Sequence, residues 1–499
     1  MVDHRHLHSK LLLLGNATIL PRKNIARERM NRNKEDQPGQ ESLVLESILG
    51  SDMTPAEFFD KIWQRSCAIF PSKAENRKTS NALSELIENA LPTILDLIHE
   101  SMDREIQNSG ETMEHATLFF RQQVSLSLAE RASLYHNSAF SALLDGCSLV
   151  HNHADLLSPK IAALSQDLQK SFPHCYCNTY LTPADAQAAP EHADDRDVLI
   201  IQVYGSKEWT VYERIPIMYP YPQEQVGKAD LEVPSEVLNG PTAIRQTLQP
   251  GDVLYMPRGY VHRAICSPEA PSFHVTVALA TQDWTLAGEV SQQANRLLHN
   301  VMEYRKALPR EHCMQDWSNL SSQAKKNLEQ QVEQALELLK NQITAQSVHA
   351  NLQNRIATHN KRAFEKRQPL EAEHPRKKHK VESNSLAVVG WEAARQIDPT
   401  SLIRVATDQE KKLAQMAFSS EQSGPGLQVR ECLADNILSL LHKIRSNAEC
   451  TYQVNALRGL LKQEGSEVDV RLCDLTIISF VKVCVSLGAL ALVRDDSDS

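Results

Sequence analysis

Between about residues 146 and 283 the chain is cut into short β-branched and aromatic runs separated by Gly and Pro turns. That texture leaves few folds open. Residues 198–204 and 208–212 read as strands joined near Gly205-Ser206, a hairpin turn by composition. Residues 253–256 follow the turn signal Gln249-Pro250-Gly251-Asp252. In 273–280, Phe273, Val275, Val277 and Leu279 share one face. Short strands at this spacing predict an antiparallel barrel or sandwich.

Helical patterning flanks the strands, so the expected class is α+β. At 499 residues the chain is too long for one core and predicts two or three domains. Residues 1–45 are polar and irregular, a disordered arm. Order is expected from near Met53, where Thr54, Pro55 and Glu57 read as a capped helix start with Phe58 and Ile62 on one face. After Asp283 helix returns over 285–360. There Leu328, Val332, Ala335, Leu336, Leu339 and Ile343 recur at helical spacing, which fits the chain's own core or an oligomer seam. Residues 361–388 are a charged linker whose runs Lys361-Arg362 and Arg376-Lys377-Lys378-His379-Lys380 resemble a nuclear import signal. In 389–499, Ile437, Leu440, Leu441 and Ile444 mark one helix and Leu457, Leu460 and Leu461 another. Ile477, Ile478, Phe480 and Val481 mark a third, followed by strand-like LALV, a winged-helix-like pattern.

Several classes are disfavoured. A net charge of −9 supplies no basic face, so direct nucleic-acid binding is not expected. No run of about eighteen apolar residues predicts a membrane span, and the apolar run 11–14 is too short for a signal peptide. An intracellular protein is expected. The ten cysteines include no CxxC pair, which favours reduced structural thiols over zinc or disulfides. His4, His6 and His8 fit a solvated tail better than a metal site.

One constellation carries chemistry. His192-Ala193-Asp194 precedes a strand, and His262 lies in GDVLYMPRGYVHRAICS. Two neutral imidazoles and a carboxylate on one side of a metal form a facial triad that leaves positions open for a cosubstrate and O₂. HxD suits this because residues i and i+2 of an extended strand share a face. The distal histidine is expected from a strand across the barrel. Lys207 alternates with Trp209 and Val211, and a lysine on a buried face calls for an anion. The ordinary alternative is a lysine snorkelling out at the turn. Asn178 and Tyr180, on an earlier strand, could add hydrogen bonds. The run His151-Asn152-His153-Ala154-Asp155 resembles a hydrolase HxHxDH motif, but Leu156 stands where the last ligand belongs. His274 projects away from Phe273 and Val275 and is expected beside the metal rather than on it.

At these residues the chain resembles the JmjC ribosomal oxygenases, a family of bifunctional lysine-specific demethylases and histidyl-hydroxylases. The likeness rests on MTPAEFFDKIWQRS, DGCSL, NTYLTP, HADD, IQVYGSKEW, GDVLYMPRGYVH, SFHVTVA and ALPRE, in order, over about 53–315. It implies a double-stranded β-helix (cupin/JmjC) barrel over 50–284 with N-terminal helices, a helical dimerisation domain and a C-terminal winged-helix-like domain. It also implies iron ligands His192, Asp194 and His262. Lys207 would hold the distal carboxylate of 2-oxoglutarate, with Asn178 and Tyr180 as cosubstrate contacts. Three departures bear on the pocket's shape. Ala193 stands where Tyr is usual, Ala278 where a small hydroxyl residue is common, and AQAAPEH lacks the usual Gly-Phe.

The resemblance implies an enzyme that uses Fe(II), 2-oxoglutarate and O₂. Hydroxylation of a ribosomal-protein side chain, histidine first, is the leading expectation, with histone methyl-lysine demethylation the alternative. A methyl-lysine pocket would favour an aromatic cage, and only Tyr180, Tyr204, Trp209 and Tyr212 lie near the motif. A catalytically inactive binding module is the competing class, disfavoured because the triad and Lys207 are all present. A homodimer and a nuclear, chromatin-regulating setting complete the expectation.

Overall fold

The computed structural model describes residues 41–72, 81–107, 117–135, 138–228, 230–371, 387–388, 390–417, 427, 429–461 and 472–493. Its centre is built from strands β1 (Ala68–Phe70), β2 (Thr117–Arg121), β3 (Val124–Ser125), β4 (Ser148–His151), β5 (Cys175–Thr182), β6 (His192–Ala193), β7 (Asp197–Tyr204), β8 (Lys207–Tyr212), β9 (Thr242–Leu248), β10 (Val253–Met256), β11 (Val261–Cys266) and β12 (Ser272–Leu279). The larger antiparallel sheet runs β1-β10-β7-β12-β5-β4-β2-β3, and the smaller runs β6-β11-β8-β9. Together with the flanking helices this is the α+β cupin barrel expected.

Alternation assigns each side chain to a layer. On β5 and β12, Cys175, Cys177, Leu181, Phe273, Val275, Val277 and Leu279 face outward into the helices. The β7 run Val198, Leu199, Ile200, Ile201 is buried throughout because its two faces meet different cores. Leu199 and Ile201 join the helical side, while Val198 and Ile200 pack with Trp209, Val211, Leu248, Leu254 and Met256 between the sheets. The hairpin expected at Gly205-Ser206 is corrected. β7 pairs with β10 and β12, whereas β8 pairs with β9 and β11. At Gly205 the chain passes from one sheet to the other with φ +59°, and a Cβ there would lie 2.1 Å from the Pro271 carbonyl oxygen. Only glycine fits such a crossing.

Helix Pro55–Lys61 starts as the sequence predicts. Thr54 Oγ1 accepts from the Glu57 amide, and Glu57 Oε2 accepts from the Thr54 amide. Its Phe58 is fully buried, edge-on to Tyr255 at 5.1 Å between ring centroids, with Phe59, Trp63 and Phe70 around it. Order begins earlier than expected. Helix Leu43–Leu49 buries Val44, Leu45, Ile48 and Leu49, and Asp167 Oδ2 accepts from Ser42 Oγ and the Val44 amide. His4, His6, His8 and most of the predicted arm lie outside the described residues.

Beyond the barrel come helices Leu286–His299, Ser322–Gln342 and Ala345–Glu371. Glu289, 1% exposed, pairs with Arg355 and accepts from Asn351 Nδ2 at 2.6 Å. The predicted apolar stripe is only partly covered by this chain: Leu328, Ala335, Leu339 and Ile343 are half-buried, while Val332 and Leu336 are 49% and 60% exposed. The linker expected from 361 is also corrected. Helix continues to Glu371, carried by good helix formers and a Lys361–Glu365 pair one turn apart. The basic run 376–380 lies outside the described residues.

The last part contains helices Trp391–Arg395, Asp408–Ala417, Glu431–Ser446, Leu457–Leu460 and Asp474–Ser486. Strands Ala387–Val388, Leu402–Val405, Tyr452–Gln453 and Leu490–Val493 form a small sheet there. It shares a continuous core with the barrel's helices. Ile477, Phe480 and Val481 cluster with Phe140 and Leu143, Arg395 pairs with Asp103, and the Arg430 amide donates to Leu144 at 2.9 Å. No described helix is long and apolar enough to cross a membrane.

Phe58→Ala should cost about 3–5 kcal/mol, since a buried ring and its aromatic contacts leave together. Urea unfolding of the two proteins measures it.

Candidate functional site

Strand register makes the site. β6 is two residues long and antiparallel to β11, with Ala193 opposite Val261 and His192 opposite His262. The two histidines are therefore neighbours on one ladder, not partners across the barrel as the sequence reading expected. Their ring centroids lie 4.4 Å apart. Asp194, two residues after His192, brings Oδ1 to 3.7 Å from His192 Nε2 and Oδ2 to 3.7 Å from His262 Nε2. One donor atom from each residue lies within 4.8 Å of the others, and no other such group occurs among the described residues.

The surroundings set the protonation. His192 Nδ1 lies 2.7 Å from the Pro190 carbonyl oxygen, and His262 Nδ1 lies 3.1 Å from that of Tyr260. A carbonyl only accepts, so each Nδ1 carries the proton and each Nε2 presents its lone pair to Asp194. Burial, then Lys228 and His262, pushes His192 down to about 3, and burial lowers His262 also. Burial alone would raise the Asp194 carboxyl, but Lys228 and the two imidazoles outweigh it and hold the group well below its usual range. Two neutral nitrogens and one anionic oxygen facing one point are the donor set of a divalent first-row metal with open positions. The residues thus fit the iron that the resemblance implies.

Beside this cluster the barrel interior is polar where a core should be apolar. Lys207 is 1% exposed, so it does not snorkel out at the turn. Its Nζ donates to Thr182 Oγ1 at 2.8 Å. Burial pulls its pKa down to about 8. His274 is 2% exposed, stacked on Tyr180 at 4.9 Å and edge-on to Trp209 at 5.4 Å. His274 Nδ1 and Trp209 Nε1 are buried without a hydrogen-bond partner. Two buried donors, the Lys207 ammonium and the Trp209 indole N–H, with one hydroxyl and an unpaired imidazole nitrogen among them, fit an anionic occupant. Asn178 lies inward on β5 like Tyr180, but its Oδ1 accepts from the His153 amide at 3.0 Å, which steadies a left-handed residue (φ +49°).

Asp197 secures the frame. It is fully buried and accepts from Tyr255 Oη at 2.6 Å, Thr281 Oγ1 at 3.0 Å and the Arg258 amide at 3.2 Å. Those bonds tie the start of β7 to β10, to the end of β12 and to the turn before His262. In that turn the Gly259 amide donates to the Asp194 carbonyl at 3.0 Å. Ala193 points away from the ligand cluster into a pocket of Tyr212, Val226, Val237 and Val261.

The hydrolase-like run does not gather a metal site. His151 meets Thr179, the His153 ring packs on Tyr176, and Asp155 accepts from the Cys177 amide. Two residues were missed by the sequence reading. Thr182 was legible, since it continues the alternation of Asn178 and Tyr180 on β5. Lys228 was not. It comes from the connection between β8 and β9 and its Nζ lies 2.6 Å from Asp194 Oδ1.

Residues 154–286 match the JmjC domain family, so this chain carries a JmjC domain. Over 230 residues it is 30% identical to the bifunctional lysine-specific demethylase and histidyl-hydroxylase NO66 of Dictyostelium discoideum, covering 43% of this chain and 42% of that one. It is 27% identical to ribosomal oxygenase 1 of Bos taurus over 266 residues, 52% of this chain and 37% of that one. The matched stretch thus spans less than half the length of these relatives. Among solved structures, the ribosomal oxygenase YcfD of Escherichia coli with cobalt and 2-oxoglutarate aligns over 88% of this chain and 98% of its own at 12% identity, TM-score 0.36.

His192→Ala and His262→Ala should each weaken Mn(II) binding by more than the roughly 10–100-fold that an outer-shell partner is worth. His153→Ala should leave it unchanged. Titration followed by the paramagnetic resonance of free Mn(II) checks this, with circular dichroism as the folding control.

Proposed function

We propose that this protein is an Fe(II)- and 2-oxoglutarate-dependent oxygenase that hydroxylates a protein side chain, histidine of a ribosomal protein foremost. The observation that carries the reading is the convergence of His192, Asp194 and His262 donor atoms within 4.8 Å, beside the buried ammonium of Lys207.

In this reading His192, Asp194 and His262 hold the metal from one side, with the Pro190 and Tyr260 carbonyls fixing the two imidazole tautomers. Bound Fe(II) supplies, with 2-oxoglutarate and O₂, the oxidising power that puts a hydroxyl on a substrate C–H bond and releases succinate and CO₂. Lys207 and Thr182 bind the distal carboxylate at the barrel's depth. Tyr180 and Asn178 line the path, and Trp209 with the stacked Tyr180–His274 pair excludes water from it.

The same centre acting on an N-methyl group would give demethylation, an activity that the name of the Dictyostelium relative includes. The aromatic residues support hydroxylation first. Tyr212 packs into the pocket around Ala193, and Tyr204 packs into the core shared with the C-terminal helices. Neither adds a wall to an aromatic cage. The reading extends to a homodimer through the exposed face of helix Ser322–Gln342, to His192, Asp194, His262, Lys207, Asn178 and Tyr180 as the site, and to a nuclear setting served by the basic run 376–380.

Wild-type protein given Fe(II), 2-oxoglutarate and O₂ should release succinate and add 16 mass units to a ribosomal-protein peptide. His192→Ala should do neither. Absence of turnover in the wild type with such peptides present would leave an inert barrel. A pH profile gives a second check. Lys207, at about 8, is charged below that pH and neutral above it. The KM for 2-oxoglutarate should rise as pH passes 8, and Lys207→Arg should flatten that rise because a guanidinium stays charged.

A further inference from the structure

The connection between β8 and β9 folds back onto the metal-binding strand, and its fit there is specific. The Val226 carbonyl accepts from the Ala193 amide at 2.9 Å, so the connection pairs with the free edge of β6. Gly227 follows with φ +79°, and a Cβ on it would lie 2.3 Å from the Glu191 carbonyl oxygen and 2.8 Å from His192 Cα. A bridge between Val226 and Leu231 closes the loop. The next residue, Lys228, is thereby aimed at Asp194, with Nζ 2.6 Å from Oδ1. Among the described residues no other hydrogen-bond donor reaches that carboxylate.

We infer that Lys228 is a positioning residue for the metal-binding carboxylate: it holds Asp194 Oδ1 and so keeps the carboxylate facing the two imidazoles. The inference rests on the metal reading above. A facial site needs three open positions, two for a chelating 2-oxo acid and one for O₂. A carboxylate free to rotate would not keep its oxygens on the face shared by the imidazoles. An ammonium on Oδ1 fixes the rotamer, while Oδ2 keeps its place 3.7 Å from His262 Nε2. Lys228 does this from the rim, with 41% of its side chain exposed, so its replacement leaves the core intact.

The test is Mn(II) affinity, measured by titration on the full chain. Lys228→Met should weaken binding by about 10–100-fold, and Lys228→Arg, which keeps the charged donor, should restore most of it. Gly227→Ala, which must push the loop off Glu191, should reproduce the loss with Lys228 still present. Unchanged or tighter Mn(II) binding in Lys228→Met overturns the inference and leaves the metal site standing. Equal loss in Lys228→Arg and Lys228→Met overturns it too, since a tether is rescued by another donor. A wild type that binds no Mn(II) overturns the metal reading and this inference together.

Discussion

The two-rung pairing of β6 with β11 is the contact on which the site depends. A strand of two residues cannot hold its own register, yet a slip of one would turn His192 out of the cluster and Ala193 in. The register is held from outside. On one flank the Ala193 amide is taken by Val226, and at its end the Asp194 carbonyl is taken by Gly259. Three residues on, Asp197 gathers Tyr255, Thr281 and the Arg258 amide. Burial raises the Asp197 carboxyl, and the hydrogen bonds it accepts from Tyr255, Arg258 and Thr281 work against that rise. The aromatic cluster under Tyr255 then connects this polar knot to helix Pro55–Lys61. A short, intrinsically weak strand is thus placed by groups from four separate parts of the chain.

The barrel interior accepts a cost that folding alone does not require. A lysine whose pKa falls from 10.5 to about 8 is charged at neutral pH against the preference of its surroundings. That shift corresponds to a few kcal/mol. Its sign matters: the unfolded chain holds the proton more firmly, so stability is reduced below pH 8 and recovers as pH rises toward 10.5. An apolar residue would pack there without this penalty. Trp209 Nε1 adds a buried donor, and His274 Nδ1 a buried ring nitrogen, with nothing to meet. Unmet polar groups in a barrel otherwise lined by Val198, Ile200 and Val211 mark the place where stability has given way to binding.

Much of this was legible, and the reason differs by residue. The strand period is local, so the outward set Phe273, Val275, Val277 and Leu279 and the inward set Lys207, Trp209 and Val211 follow from alternation. Caps are local as well, and the Thr54–Glu57 box reads directly. Pairing is not local. Nothing in 198–212 tells that Gly205 leads into a second sheet, because the same Gly-Ser dipeptide also closes hairpins, and the winding is decided by Pro271 against Gly205. The placing of His262 beside His192 was hidden for the same cause. Helix Leu43–Leu49 was read past because a charged, irregular arm precedes it, though SLVLESIL carries both cap and periodicity. Lys228 had no signal at all: its partner is Asp194, its segment has no period, and only the fold brings them together.

The two lysines of the site answer to different anions, and their depths follow from that. Lys207 is sealed at the base, where an ammonium without a carboxylate nearby is strained and therefore receptive to one. Lys228 sits at the rim on a carboxylate that belongs to the protein. A 2-oxo acid entering a site that already holds Asp194 meets like charge, and at short range in a partly buried setting that repulsion is substantial. Lys228 offsets it without occupying the interior. Lys228 reaches Asp194 because its connection closes on β6, where the Val226 carbonyl accepts from the Ala193 amide and the two side chains pack together.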